Sequence, residues 1–372
     1  MTLVKSSVIA LLVSCLHAYG QEYANFNVVL DLNYASAERT LELYEGLSGR
    51  PQEIAQLRGS QIALATTSLL AQRSLDTPAL ERSLEAAKFN QSDGDDVFKM
   101  KEARANVAAI KELLLEVQRR NFGQKVISTV GQLFPTDTRI TTSIPIFFVA
   151  FGHQNIDAYV RRVTWKGNTP AFVGEGEGTL TIVVNLAKCV NYGRTVDERF
   201  IGMMSVVGHE VFHAAFGVYK DNSARWRYYY ATHQSYLDQL LDLTQNEGIA
   251  YYLTLVQRSR GKLLSDWVDR VQTSVIEFNK SCAELLLPQT TERRAQEIIR
   301  LSNTSGYWES YGAITGMIIA RQIDQTLGRT ALVETIASGP TDFFGKYAEL
   351  MRRDGNIPIL SDAIIRFVKK TH

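Results

Sequence analysis

The sequence predicts a mainly α fold with one small antiparallel β-sheet, an α+β arrangement, and three observations carry that reading. Apolar residues recur at three- and four-residue spacing through most of the chain, the signature of amphipathic helices. Two short segments near the middle, residues 144–151 and 179–186, are rich in β-branched and aromatic residues and read as strands. The 372 residues carry 45% hydrophobic side chains and a formal charge of only +1, an ordinary globular composition. That near-balance provides no electrostatic case for nucleic acid or an anionic membrane surface. No uninterrupted apolar run is long enough for a transmembrane span.

The chain divides into three parts. Residues 1–20 combine a basic start at Lys5, a short apolar run from Ser6 to Leu16, and small residues at Ala18 and Gly20. This order of parts is that of an export signal cleaved after Gly20, which makes the protein periplasmic or secreted. Leu12-Val13-Ser14-Cys15 resembles a bacterial lipobox and leaves a lipid anchor at Cys15 as the alternative, placing the protein in the cell envelope. Export leaves Cys189 and Cys282, which either pair or act as two buried thiols.

Residues 21–135 read as a helical N-terminal lobe. Helices are expected over 35–47, from Pro51, and over 77–89 with Asp76 as the N-cap. A longer one runs through Arg120 after the acidic turn 91–96. That turn lacks the alternating oxygens and final Glu of a calcium loop, so it reads as a solvated turn. Residues 136–372 hold the two strands and then helices almost to the end. The glycine-rich turn 174–178 has no Lys-Ser/Thr after it, which excludes a phosphate loop.

The chemistry concentrates in His209-Glu210-Val211-Phe212-His213, inside an apolar helix expected over 198–216. Histidines four apart share one helix face and can bind one cation. Glu210, beside the first ligand, can reach a water on the metal without ligating, which suits a general base. A third ligand is needed. The metzincin pattern would put Gly and His where Phe216 and Tyr219 stand, so it is excluded. A di-iron bundle would need a second Glu-x-x-His pair, and none is present. Asp221, Asp238, Asp242 and Glu247 are the carboxylate candidates. Glu247 stands out, because Gly248 inside a helix expected over 228–258 permits close packing against the histidine helix.

His-Glu-x-x-His followed by Asn246-Glu247-Gly248-Ile249-Ala250 resembles the gluzincin metallopeptidases, over about residues 179 to 252. The resemblance implies a zincin-like catalytic core over 136–372, one Zn2+ ion held by His209, His213 and Glu247, and a peptide or protein substrate. The helical N-terminal region and Gly339-Pro340-x-x-Phe343-Phe344 are similar to an uncharacterised bacterial family of zinc-dependent peptidases. Two departures stand out: Tyr251 occupies the place of the second acid, and the aminopeptidase Gly-x-Met-Glu-Asn motif is missing.

The strand at 179–186 precedes the metal helix as a substrate-binding edge strand does in zincins, with an ordinary sheet strand as the alternative. Tyr311 is the expected oxyanion donor, with Tyr307, His233 and His153 as alternatives. The aromatic run 226–230 either lines a specificity pocket or packs in the core. A non-enzymatic exported binding protein, or a degenerate peptidase, is the alternative reading of the whole chain.

Overall fold

The computed structural model describes residues 26–47, 49–91, 94–174, 177–263, 265, 267–303 and 309–370. Residues 1–20, Cys15 among them, and Tyr307 therefore lie outside the described residues. Strand β1 (Phe26–Asn33) leads into helices α1 (Ala35–Tyr44), α2 (Pro51–Ala55), α3 (Arg58–Leu70) and α4 (Thr77–Lys88). These are followed by α5 (Met100–Ala105), α6 (Val107–Arg119) and α7 (Phe122–Gly131). The sheet is completed by β2 (Ile140–Val149), β3 (Ala158–Lys166), β4 (Thr169–Phe172) and β5 (Thr179–Asn185). Helices then continue through α8 (Leu186–Cys189), α9 (Val196–Asn222), α10 (Ala224–Thr232), α11 (Tyr236–Ser259), α12 (Trp267–Leu285) and α13 (Glu292–Asn303). The last four are α14 (Tyr311–Leu327), α15 (Arg329–Ser338), α16 (Pro340–Arg353) and α17 (Asp362–Lys370).

The mainly helical fold with a small sheet is as expected, but the sheet is mixed and not antiparallel. Its order is β1-β2-β5-β3-β4. β1 pairs parallel to β2, and β2 parallel to β5, while β3 runs antiparallel to both β5 and β4. The connections explain this. Seven helices separate β1 from β2, and the β3–β4 hairpin separates β2 from β5, so each pair is joined by a crossover long enough for parallel strands. β5 lies between β2 and β3, so it is not the expected edge strand. β1, inside the segment read as a helical lobe, is paired to β2 from Phe26 to Asn33.

Asp76 caps α4 by accepting from the Ala79 N–H at 2.9 Å, as expected. In the acidic turn, Asp96 accepts from the Met100 and Lys101 amides and so starts α5, and Asp95 pairs with Arg73. Cys189 and Cys282 are both buried and free, and burial pushes both thiols well up. Helix α9 is long and apolar enough by composition to cross a membrane, yet most of that stretch is buried inside the protein. Phe212 and Phe216 pack on Phe134, and Phe200 packs edge-on against Phe122.

The tightest helix contact sits behind the site. A Cβ on Gly248 of α11 would lie 2.3 Å from the backbone carbonyl carbon of Gly316 on α14. Gly→Ala in a helix ordinarily stabilises by about 1 kcal/mol. Here Gly248→Ala should instead destabilise by about 1–3 kcal/mol, the usual cost of overpacking. Urea unfolding measures it, and a stabilised variant would contradict the close approach.

Candidate metal centre

Both helices that carry the site start on a capping box. At α9, the Thr195 hydroxyl accepts from the Glu198 N–H at 3.2 Å, and the Glu198 carboxylate accepts from the Thr195 N–H at 3.1 Å. At α11, Ser235 and Asp238 make the same exchange at 3.1 Å in each direction. Each box satisfies two otherwise orphaned amides and is worth on the order of 1 kcal/mol. α11 thus begins at Tyr236, after a break at His233 and Gln234, whereas one helix was expected from residue 228.

On these helices His209, His213 and Glu247 come together. The two Nε2 atoms are 3.0 Å apart, and a Glu247 carboxylate oxygen lies 3.6 Å from His209 and 3.4 Å from His213. Zinc bound tetrahedrally at about 2.0–2.2 Å separates its ligand atoms by roughly 3.3–3.6 Å. The two Glu247–imidazole separations match that spacing and the imidazole pair sits about 0.3 Å closer, so the residues present fit the ion with a small adjustment. His213 Nδ1–H donates to the Asn246 side-chain oxygen at 3.0 Å, which turns Nε2 toward the other two ligands. Tyr251, standing where a second acid was expected, packs its ring 5.3 Å from His209.

The three rejected carboxylates are committed elsewhere. Asp238 caps α11, Asp242 holds Lys220 at 2.5 Å and the Tyr230 hydroxyl at 2.9 Å, and Asp221 pairs with Arg162 at 3.4 Å. Lys220 is itself buried, with its ammonium 4.4 Å from the centres of both the Phe216 and Trp226 rings.

Electrostatics separate the two glutamates. Burial alone would raise Glu247, but the charge on His213 and hydrogen bonds from both imidazoles hold it well below the usual carboxylate range. Glu210 is shifted the opposite way: burial raises it, and the nearby imidazoles and Arg161 offset only part of that. For His213, burial favours the neutral ring, but Glu247 outweighs it and pushes the imidazole up to about 9.

A cleft of about 630 Å³ opens at His213 and Asn246, walled by Val160 and Arg161 of β3 and by Tyr229 and Tyr230 of α10. A larger, more open hollow of about 860 Å³ around Tyr192 and Arg199 contains none of the metal-site residues. His233 also lines the cleft, with its ring stacked on Tyr229 at 4.4 Å. The aromatic run divides between both expected roles. Trp226 is core, donating from Nε1 to the Ile336 carbonyl at 2.8 Å, while Tyr229 and Tyr230 line the cleft.

Tyr311 is not brought to the triad. Its hydroxyl lies 2.7 Å from the Ser281 hydroxyl and 3.4 Å from the Ile298 carbonyl, where α12 and α13 meet α14, so packing occupies it. His153 stands in the turn after β2, accepting from the Asn155 N–H at 3.3 Å. The residues missed in the sequence are those of β3. The turn Gly167-Asn168 between two alternating segments is the signal that would have revealed its hairpin.

Two imidazoles and a carboxylate on adjacent helices, with a second carboxyl next in sequence, are a group that could hold a metal ion. Over residues 52–356 the chain matches the family described as "Putative zinc dependent peptidase (DUF5700)", and it belongs to that family. No curated protein and no solved structure matches it.

Glu247 pushes the His213 imidazole up, so zinc and a proton compete for the same ring. Zinc titration near pH 7.5 should therefore release about one proton from this ring, read by calorimetry in buffers of different ionisation enthalpy. Identical heats in all buffers would contradict this. Asn246→Ala, which removes the acceptor on Nδ1, should weaken zinc binding about 10- to 100-fold by competition with a chelator.

Proposed function

We propose that the protein hydrolyses peptide bonds with one zinc ion at His209, His213 and Glu247, and with Glu210 as general base. The observation that carries this is the meeting of His209, His213 and Glu247, whose donor atoms all lie within 4.8 Å of one another, and the environments of the two glutamates agree with it. Glu247 is held anionic between the imidazoles, as a ligand must be, while burial makes the Glu210 carboxylate a stronger base. When bound, zinc supplies the positive charge that acidifies water and polarises the scissile carbonyl. Glu210 accepts the proton of the attacking water and returns it to the leaving amine. The first part of β3, Ala158–Arg161, extends beyond its pairing with β4 and lies beside the cleft, which supports an extended peptide as the substrate.

The export reading rests on residues 1–20. It would start the mature chain at Gln21, or at a lipidated Cys15 if the lipobox is used.

Glu210→Gln should keep stoichiometric zinc and lower kcat by about 100- to 10,000-fold on a peptide library. Glu247→Ala should lose the metal, as read by elemental analysis. Full activity in Glu210→Gln ends the mechanism. Substoichiometric zinc in the wild type, prepared without chelator, supports the degenerate or non-enzymatic reading instead.

A further inference from the structure

The charges lining the cleft do not all find partners within it. Lys220 is held by Asp242 and Arg162 by Asp221, while Asp238 is spent on its capping box. Arg161 has no carboxylate partner among the described residues, although it lines the same cleft and is exposed. Its guanidinium lies 4.1 Å from the centre of the Tyr159 ring, a stacking contact that holds the plane in place. It shares the cleft with His213, one of the three residues of the triad.

The backbone of β3 explains what that guanidinium faces. The Asp157 carbonyl accepts from the Asn185 N–H at 2.7 Å, while the Arg162 carbonyl accepts from the Val173 N–H on the opposite side at 3.0 Å. Carbonyls of successive residues alternate across a strand, so Val160 shares the outward direction of Arg162, away from β5. The Val160 carbonyl is not free, because Arg161 Nη1 donates to it at 3.2 Å. An extended peptide added along this edge would therefore meet a cation at Val160, not a bare acceptor.

We infer that Arg161 binds a carboxylate of the substrate, making this a site for peptides that present an acidic side chain or a free C-terminus beside the scissile bond. Guanidinium and carboxylate match as a two-toothed pair, and the free donors of Arg161 are what such a group requires. The inference rests on the peptidase reading but is tested apart from it.

Zinc-loaded full-length protein is given matched peptides that carry Glu or Gln at each position around the cleaved bond. Each peptide is made both as the C-terminal acid and as the amide. The expected result is a kcat/KM ratio of about 10- to 100-fold in favour of one carboxylate source, Glu over Gln or acid over amide. That ratio should fall to about one in Arg161→Met, and in Arg161→Glu the preference should turn toward Lys. A ratio near one in the wild type, or a ratio preserved in Arg161→Met, overturns the inference. Unfolding midpoints check that both variants fold.

The same ratios are read without turnover, by fluorescence anisotropy of labelled peptides on zinc-loaded Glu210→Gln. Carboxylate-selective, Arg161-dependent binding with no cleavage by the wild type supports this inference and overturns the peptidase reading. Cleavage without carboxylate selectivity does the reverse, and no peptide binding at all overturns both.

Discussion

The site depends on α11 being pressed between the metal helix α9 and the helix behind it, α14. Successive helical residues point about 100° apart, and residues 245 to 248 turn toward three neighbouring helices, α15, α9 and α14. Gln245 donates to the Thr335 carbonyl at 2.8 Å, and Asn246 orients His213. Glu247 completes the triad, and Gly248 leaves room for the backbone of Gly316. Metal-ligand distances tolerate only about 0.2 Å, so any side chain that moved α11 outward would dismantle the triad before it unfolded the protein. The capping boxes at Thr195 and Ser235 matter for the same reason, since they determine where each helix begins and so where its residues lie along the axis.

A carboxylate buried among imidazoles is costly unless a positive charge compensates it. Glu247 raises the His213 imidazole, so a proton and a metal ion compete for the same donor set, and loading is favoured as pH rises.

How much of this was legible in the sequence depended on the range of each signal. The three residues that meet are legible because their spacing is local: two histidines share a helix face, and a glutamate followed by glycine marks a helix packed closely on its neighbour. The helix starts were readable only in part. Asp76 was recognised as a cap, but the Ser235–Asp238 box was missed because the tyrosines at 228–230 look continuous with the helix beyond. The sheet was the least legible element. β1 finds its partner β2 more than a hundred residues later, and no local pattern reveals a parallel pairing over that distance. β3 carries Arg161, Arg162 and Lys166 among its nine residues, which weakens the apolar pattern that marks the two central strands. Tyr311 was a plausible donor by position along the chain, but nothing local indicated that Ser281 and Ile298 would occupy its hydroxyl.

Strand order has a consequence for how the N-terminal helices act on the chemistry. With β5 enclosed by β2 and β3, access to the sheet edge passes to the β3–β4 hairpin and not to the strand that leads into the metal helix. That hairpin is secured from the N-terminal side. Arg58 of α3 stacks 5.0 Å from the Trp165 ring centre and donates to the Gly167 carbonyl at 3.4 Å, and Asn168 donates to the Gln56 carbonyl at 2.9 Å. Trp165 packs in turn on Phe147 of β2, joining the hairpin to the central strands. The segment that carries no chemistry of its own therefore sets the position of the strand on which Val160 and Arg161 stand. Loosening the Arg58–Trp165 contact would act first on this substrate edge, because the three clustered residues stand on α9 and α11, outside the sheet.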